Sequence, residues 1–255
     1  MTVIAQLSDF HLGDDGEAES RLDAVLAHLA SMTTPPDAVI VTGDVLDRPG
    51  EAGDYAEVGR RLGALGLPLL ACPGNHDERA AFRRLLGRDP VDAPLNSRLQ
   101  VNGLTILACD TSVPGASWGA LEPGTIAWLE GELAAAPGPV LVAMHHTPVA
   151  VGMPLVDAIR LREPHDLERV LRATDRVLAV VCGHAHTTAS TTFAGVPLRV
   201  CPSVSMTILL DQEAGTVPFF DRAAPPGFAI HILEDGRLAS HVRVVGAVLP
   251  GMTGG

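Results

Sequence analysis

The chain reads as an α/β protein whose strands form two packed sheets with helices outside them. Three features of its 255 residues lead there. Apolar runs of strand length alternate with amphipathic helical stretches through the first half. The second half becomes strand-rich and ends on a hairpin pattern. Five of the apolar runs each stop at a short cluster of Asp, His or Asn, as expected of strands that deliver side chains to one end of a sheet.

The elements follow in order. Residues 2–7 form the first strand, and 20–30 place Leu22, Val25, Leu26 and Leu29 on one helical stripe. A second strand at 37–42 precedes a helical stretch near 51–65. The third strand, 68–72, stops at Pro73-Gly74, a turn signal that presents Asn75 and His76. After a helix near 79–86, residues 97–101 and 104–110 make a hairpin across Asn102-Gly103. Pro123 suits the first turn of a helix running to about Ala135. Strands at 140–144, 177–182, 190–193 and 196–201 come next, with a helix near 166–173 between the first two. Gly195-Val196-Pro197 marks the turn between the last pair. Residues 228–233 and 238–245 form a hairpin across Glu234-Asp235-Gly236, while 205–226 show no clear period. No repeat or low-complexity linker divides the chain, so 1–249 are expected to be one domain and 250–255 a disordered tail.

Composition narrows the partners. A formal charge of −12, with 18 basic residues that form no run, argues against a nucleic-acid polymer. A small anionic substrate remains compatible, because bound metal ions can dominate the local field. No apolar run approaches the roughly 20 residues needed to span a bilayer, and the amino terminus lacks the basic and apolar segments of a signal peptide. The cysteines, Cys72, Cys109, Cys182 and Cys201, sit singly at strand ends without Cys-x-x-Cys spacing. They are expected to be reduced core residues of a cytoplasmic protein rather than zinc ligands or disulfides.

The chemistry lies in the clusters that end the strands: Asp9-Phe10-His11, Gly43-Asp44, Gly74-Asn75-His76-Asp77, His145-His146 and Gly183-His184-Ala185-His186. Carboxylate, imidazole and amide donors without thiolates suit hard to borderline divalent metals. Asp9 and His11, like His184 and His186, are two apart and would share a side in extended backbone. A carboxylate such as Asp44, closing a buried strand, needs a cationic partner to offset its desolvation. Asn75 offers a neutral carbonyl oxygen. His145 and His146 compete for one ligand position, and Asp77 either orients His76 or caps the following helix. Asp47 and Asp54 read as turn residues. His28, His165, His231 and His241 have no motif context and read as surface or structural.

Asp-x-His, Gly-Asp, Gly-Asn-His-Asp, a His after a strand and Gly-His-x-His are, in this order, the motifs of the calcineurin-like metallophosphoesterases, which the chain resembles over residues 2–205. The resemblance implies a four-layer α/β/β/α sandwich of two mixed sheets. It also implies two divalent ions of manganese, iron or zinc. One would be held by Asp9, His11, Asp44 and His186; the other by Asp44, Asn75, His145 and His184. The family pattern puts the ligand directly after the strand, favouring His145 and leaving His146 to the substrate or to a supporting role. Attack by a metal-bridging hydroxide would be completed by His76 as general acid, a task suited to a group titrating near neutral pH. Asp44, Asn75 and His76 are thus the expected catalytic residues. The segment 151–166 follows a ligand loop and is expected to cover the substrate, with Arg160 and Arg162 as candidate contacts. Cys109-Asp110-Thr111-Ser112-Val113-Pro114-Gly115 and Trp128-Leu129-Glu130 look like class III cyclic nucleotide phosphodiesterases, with glycerophosphodiesterases sharing much of the pattern. The expected substrate is therefore a small phosphodiester such as cyclic AMP, with a glycerophosphodiester or phosphomonoester as alternative. Some relatives keep the fold as non-catalytic scaffolds after losing ligands; none is lost here. A homodimer is implied by the resemblance alone.

Overall fold

A computed structural model describes residues 1–13, 17–48, 55–214 and 220–246. The expected domain boundary at 249, the tail at 250–255, the first residues of the 51–65 helix and Asp54 lie outside these. In chain order the first half comprises β1 (Thr2–Leu7), α1 (Glu17–Ala30), β2 (Ala38–Thr42), α2 (Tyr55–Gly63), β3 (Leu69–Cys72) and α3 (Arg79–Phe82). A 3₁₀ turn over Arg83–Leu86 continues α3. Next come β4 (Ser97–Val101), β5 (Leu104–Cys109), α4 (Pro123–Ala135), β6 (Val140–Met144), α5 (Pro154–Ala158), α6 (His165–Arg172) and β7 (Val177–Cys182). The remainder is β8 (Ala189–Phe193), β9 (Val196–Val200), β10 (Thr207–Ile208), α7 (Asp211–Ala214), β11 (Phe220–Asp221), β12 (Gly227–Glu234) and β13 (Arg237–Val244).

Two mixed sheets result. One has the order β13-β12-β1-β2-β3, and the other β4-β5-β6-β7-β9-β8. Strands β1, β2 and β3 run parallel, as do β5, β6, β7 and β9. The antiparallel hairpin partners lie at the margins. Their alternation sorts the apolar residues into three cores. Val3, Ala5 and Leu7 of β1 point to α1 and α2, meeting Leu22, Val25, Leu29, Val58 and Leu62. Ile4 and Ile40 point the other way, against Ile106, Leu141, Ala143 and Val181 of the second sheet. The far face of that sheet packs Val142, Met144 and Val180 on Ile126, Leu129, Leu167 and Val170 of α4 and α6. Helix, sheet, sheet and helix are thus stacked in four layers, as the resemblance implied.

One buried polar chain crosses the layer between the sheets. Gln6 Nε2 donates to Thr42 Oγ1 and to the Cys182 carbonyl, both at 3.0 Å. Its Oε1 accepts from His231 Nε2 at 3.0 Å. Burial, with Arg199 and His241 nearby, pulls His231 down to about 4. The ring is therefore neutral, and its Nδ1 accepts from Ser240 Oγ at 2.8 Å. Gln6 so fastens together the carboxyl ends of β1, β2 and β7, directly beneath three ligand loops. His231 is structural, as its lack of motif context suggested.

Three boundaries depart from the sequence reading. Helix α1 starts at Glu17, a turn early, with Glu17 and Glu19 favouring the amino-terminal end of its dipole. The short α5, begun by Pro154, had no legible period. The aperiodic 205–226 stretch holds the two-residue strands β10 and β11, too short for alternation to register. All four cysteines are free and buried. Among the described residues no helix is long and apolar enough to cross a membrane.

Candidate metal centre

The loops following β1, β2, β3, β6 and β7 meet at the shared carboxyl end of both sheets. After β1, the chain continues beside the β2 loop: Asp9 N donates to the Gly43 carbonyl, His11 N to that of Asp44 and Leu12 N to that of Val45, each at 3.0 Å. This path bends the backbone into the left-handed region. Asp9, His11, Asp44, His184 and His186 all have positive φ, between 47° and 70°. Each such residue costs about 1–3 kcal/mol and persists only where its surroundings over-determine it. The expectation that Asp9 and His11, or His184 and His186, share a side through extended backbone is therefore corrected. They converge because tight loops turn them inward. Ser203 Oγ and Ser205 Oγ hold the Asp9 carbonyl at 2.8 and 3.0 Å. Glycines make the crowding feasible: Gly43 has φ +90°, and a Cβ there would lie 2.5 Å from Gly74 N and 2.6 Å from His145 Nδ1. A Cβ on Gly74 would run into the Asp44 carboxylate.

The expected ligands come together in two groups. Asp9, His11, Asp44 and His186 bring ligand atoms within 4.8 Å of one another. His11 Nε2 lies 3.0 Å from His186 Nε2 and 3.6 Å from Asp44 Oδ2, and His186 Nε2 is 3.5 Å from Asp9 Oδ1. In the second group His145 Nε2 stands 3.1 Å from Asn75 Oδ1, 3.2 Å from His184 Nδ1 and 3.3 Å from Asp44 Oδ2. Asp44 Oδ2 belongs to both groups. Except for half-buried Asn75, these residues are buried.

The donor set demands cations. His11 Nδ1 is committed to Asp47 Oδ1 at 3.1 Å, and His186 Nδ1 to the Met206 carbonyl at 3.2 Å. Donating there leaves a lone pair on each Nε2, and these two lone pairs face each other. Likewise His145 Nδ1 donates to the Thr42 carbonyl at 2.7 Å, leaving Nε2 to face the Asn75 and Asp44 oxygens. Acceptors aimed at acceptors over 3.0–3.6 Å are what neighbouring ligands show around ions bound at about 2.0–2.2 Å. Protons fill the role in part. Burial opposes charge on His145, but Asp44, its hydrogen bond and Asp9 raise the ring to about 9. Burial lifts Asp9 to about 6, with Asp44 adding to the rise and His145 opposing it. Burial likewise disfavours the Asp44 anion, yet His145 and His11 hold it well below the usual carboxylate range. The residues fit two divalent ions.

Other placements revise the sequence reading. Asp47, read as a turn residue, buttresses His11, and its backbone carbonyl lies 2.8 Å from His76 Nδ1. Asp77 neither orients His76 nor caps a helix. Its carboxylate accepts from Gly74 N, Val45 N and Tyr55 OH at 2.9, 3.1 and 3.0 Å, joining two ligand loops, while Glu78 caps α3. His146 lies close to His145 and His184, but both its nitrogens are engaged. Nδ1 meets Thr111 Oγ1 at 2.8 Å and Nε2 the Ser117 carbonyl at 3.2 Å. Burial, with His145 and His184 beside it, keeps this ring neutral, and it braces the 111–117 loop rather than facing substrate. Arg160 and Arg162 are exposed and turned onto neighbours, Arg160 to the Asp157 carbonyl at 2.5 Å and Arg162 over Trp118 at 4.0 Å. Neither lines the cavity at the ligands; Arg222 does, and segment 151–166 contributes Val156 and Ile159 instead.

Two cavities flank His76. One, of 280 Å³, is floored by ligands. The other, of 460 Å³, lies along the Ser112–Ser117 loop with Glu78 and Asp92. Asp47, Asn75 and His76 border both.

The sequence model of the calcineurin-like phosphoesterases matches residues 2–188. The chain belongs to this family. It is 37% identical over 228 residues to a probable cyclic nucleotide phosphodiesterase of Rhodococcus erythropolis, covering 83% of this chain and 74% of the relative. To a glycerophosphodiester phosphodiesterase of Enterobacter lignolyticus it is 31% identical over 217 residues, 81% of this chain and 76% of the relative. A dimetal phosphatase from Danio rerio shares the fold, with a TM-score of 0.66 at 14% identity over 96% of this chain and 99% of that one. Membership and an intact donor set make the chain a metal-dependent phosphoesterase.

Two substitutions test this calcineurin-like site. Asn75→Ala deletes an oxygen 3.1 Å from His145 Nε2 and leaves His76 in place, so affinity for the second ion is expected to fall before that for the first. Metal titration followed by activity reads this directly; unchanged occupancy and rate would reduce Asn75 to a loop residue. Asp47→Ala removes the partner of His11, and loss of such a partner costs about 10–100-fold in metal affinity or activity. Here the first ion should weaken, with Asp47→Asn less affected. Wild-type titration curves for both variants would return Asp47 to a turn role.

Proposed function

We propose that the chain hydrolyses small phosphodiesters, with 3′,5′-cyclic nucleotides such as cyclic AMP as its substrates. Asp9, His11, Asp44 and His186 would hold one ion, and Asp44, Asn75, His145 and His184 the other, the metals being manganese, iron or zinc. Two such ions supply Lewis acidity toward phosphoryl oxygens and a water made nucleophilic near neutral pH. The observation that carries the reading is the position of His76 beside this donor set. Its Nδ1 is committed to the Asp47 carbonyl at 2.8 Å, and the Asp47 carboxylate stands 3.8 Å from the same nitrogen. That leaves Nε2 to deliver a proton to the departing alkoxide, with a carboxylate close by while the ring is charged. Asp44 Oδ1 accepts from His76 N at 2.9 Å, so the carboxylate common to both groups also fixes the acid's loop.

The Rhodococcus relative supports the cyclic nucleotide as substrate. A second reading, glycerophosphodiester hydrolysis, is favoured by the larger cavity. Its acidic Glu78 and Asp92 suit a hydroxyl- or ammonium-bearing head group, and Arg79 there is already paired with Asp110 and Glu122 at 3.1 and 2.9 Å. Metal-loaded protein assayed on cyclic AMP, glycerophosphoethanolamine and p-nitrophenyl phosphate separates the readings. Cyclic AMP is expected to give the highest kcat/KM. Preference for p-nitrophenyl phosphate over every diester would make the protein a monoesterase.

A further inference from the structure

The 460 Å³ cavity beside His76 has walls from different sheets. Asp47, Asn75, His76, Glu78 and Arg79 follow β2 and β3 of the first sheet, and Ser112–Ser117 follow β5 of the second. The bonds of the acid loop described above reach the first sheet's own loops and helix. His76 N donates to Asp44 Oδ1, His76 Nδ1 meets the Asp47 carbonyl, and the Asp77 carboxylate accepts from Gly74 N, Val45 N and Tyr55 OH. Yet the second ligand group draws His145 and His184 from the ends of β6 and β7 in the second sheet. An acid on one sheet and half of the ligands on the other need a link that fixes their separation.

Arg79 supplies one. Its side chain, 7% exposed, leaves the first residue of α3, three positions after His76. Nε stands 3.1 Å from Asp110 Oδ2 and Nη1 2.9 Å from Glu122 Oε1, while Nη2 donates to the Ser112 carbonyl at 2.6 Å. Asp110 is itself fixed: its carboxylate accepts from Leu95 N at 2.8 Å, Ser112 N at 2.8 Å and Ser112 Oγ at 2.6 Å. It directly follows Cys109, whose partner across the parallel β5–β6 ladder is Met144, and His145 directly follows Met144. Arg79 is thus anchored on a residue that leaves the second sheet beside a candidate ligand. Replacing a buried ion pair by apolar residues is often neutral or stabilising, so stability explains this pair poorly; holding a register is the better attested use. Arginine suits that task, because its planar fork holds several acceptors in fixed directions. We infer that Arg79 is a positioning residue: through Asp110 and Ser112 it sets the distance from the acid loop to the ligands of the second sheet, and so places His76 against the leaving oxygen. The inference deepens the reading of His76 as general acid and rests on it.

The test is a double-mutant cycle read on two leaving groups. Metal-loaded wild type, Arg79→Lys, His76→Ala and the double variant are matched for metal content and assayed well below their melting temperatures. Cyclic AMP releases an alkoxide that needs a proton; bis(p-nitrophenyl) phosphate releases a phenolate that does not. A misplacement of about 1 Å can cost about 10²-fold, so Arg79→Lys is expected to lower kcat on cyclic AMP by about 10–100-fold with KM little moved. Its rate on bis(p-nitrophenyl) phosphate should fall far less. Once His76 is alanine, Arg79→Lys should add almost nothing to the loss on cyclic AMP, since a residue that acts through His76 has nothing left to place. Should Arg79→Lys not fold, Asp110→Asn reads the same link from its other end, keeping an acceptor for Leu95 and Ser112 and removing the charge that faces Arg79. Equal proportional losses on the two substrates, full activity, or losses that multiply in the double variant would make Arg79 structural and overturn the proposal, while His76 keeps its role. Equal losses in His76→Ala itself would overturn the acid and the part of Arg79 together. If cyclic AMP is not turned over, glycerophosphoethanolamine, whose leaving group is also an alkoxide, takes its place, so failure of the substrate reading leaves the test standing.

Discussion

Asp44→Ala is expected to lower phosphodiester hydrolysis by on the order of 10³-fold or more and to leave fewer than two ions on each saturated chain. The size follows from what is removed. Metal stabilisation of transition-state charge contributes several kcal/mol, and about 1.4 kcal/mol is tenfold in rate. Asp44 Oδ2 approaches His11 Nε2 at 3.6 Å and His145 Nε2 at 3.3 Å, making it the carboxylate oxygen that both ligand groups share. Asp9 lies on the His186 side and does not replace it. Asp44 Oδ1 also holds His76 N, so the alanine variant releases the acid's loop as well. Asp44→Asn separates the two effects, because its amide oxygen can keep that bond while the negative charge is gone. Elemental analysis after metal saturation, alongside rates, reads the outcome. Two ions and a near-normal rate in Asp44→Ala would remove the shared carboxylate from the mechanism. At most one ion in saturated wild type would do the same to the dimetal site.

The sequence disclosed this centre unevenly, for reasons that lie in the range of the interactions. The seven candidate donors were legible because each closes a run such as Val39-Ile40-Val41-Thr42 and because the family motifs occur in order. The strands were legible because residues buried on both faces leave continuous apolar runs. Asp47 was not: its side chain acquires meaning from His11, 36 residues earlier, and from His76, 29 residues later, and locally it is one more Asp in a turn. The left-handed backbone at Asp9 and His11 was hidden too, since it is imposed by pairing with the Gly43–Val45 loop rather than by residue type. Arg160 and Arg162 drew attention by following a ligand loop, but proximity in sequence misled. Arg222, delivered from the aperiodic 205–226 stretch by a two-residue strand, is the arginine at the cavity. What remains readable from residues alone is the chemistry held at strand ends; what is lost is whatever a distant loop decides.

The second large effect separates a general acid from a positioning histidine at residue 76. A ribose alkoxide is a poor leaving group and needs protonation in the transition state, whereas p-nitrophenolate departs without it. Removing a general acid costs about 10²–10⁴-fold where the proton is needed. His76→Ala is therefore expected to impair cyclic AMP hydrolysis by that factor while bis(p-nitrophenyl) phosphate hydrolysis falls far less. The structure favours a clean comparison. His76 lies outside the two proposed ligand groups, its side chain is 40% exposed, and among the described residues its polar ring contacts are with Asp47. Its loss should spare the fold. The ring does pack edge-on against His11 at 4.7 Å, so metal content must be shown equal before the rates are compared. With both ions present, equal proportional losses on the two substrates would mean that His76 positions the substrate or stabilises charge, and that the departing oxygen takes its proton from elsewhere.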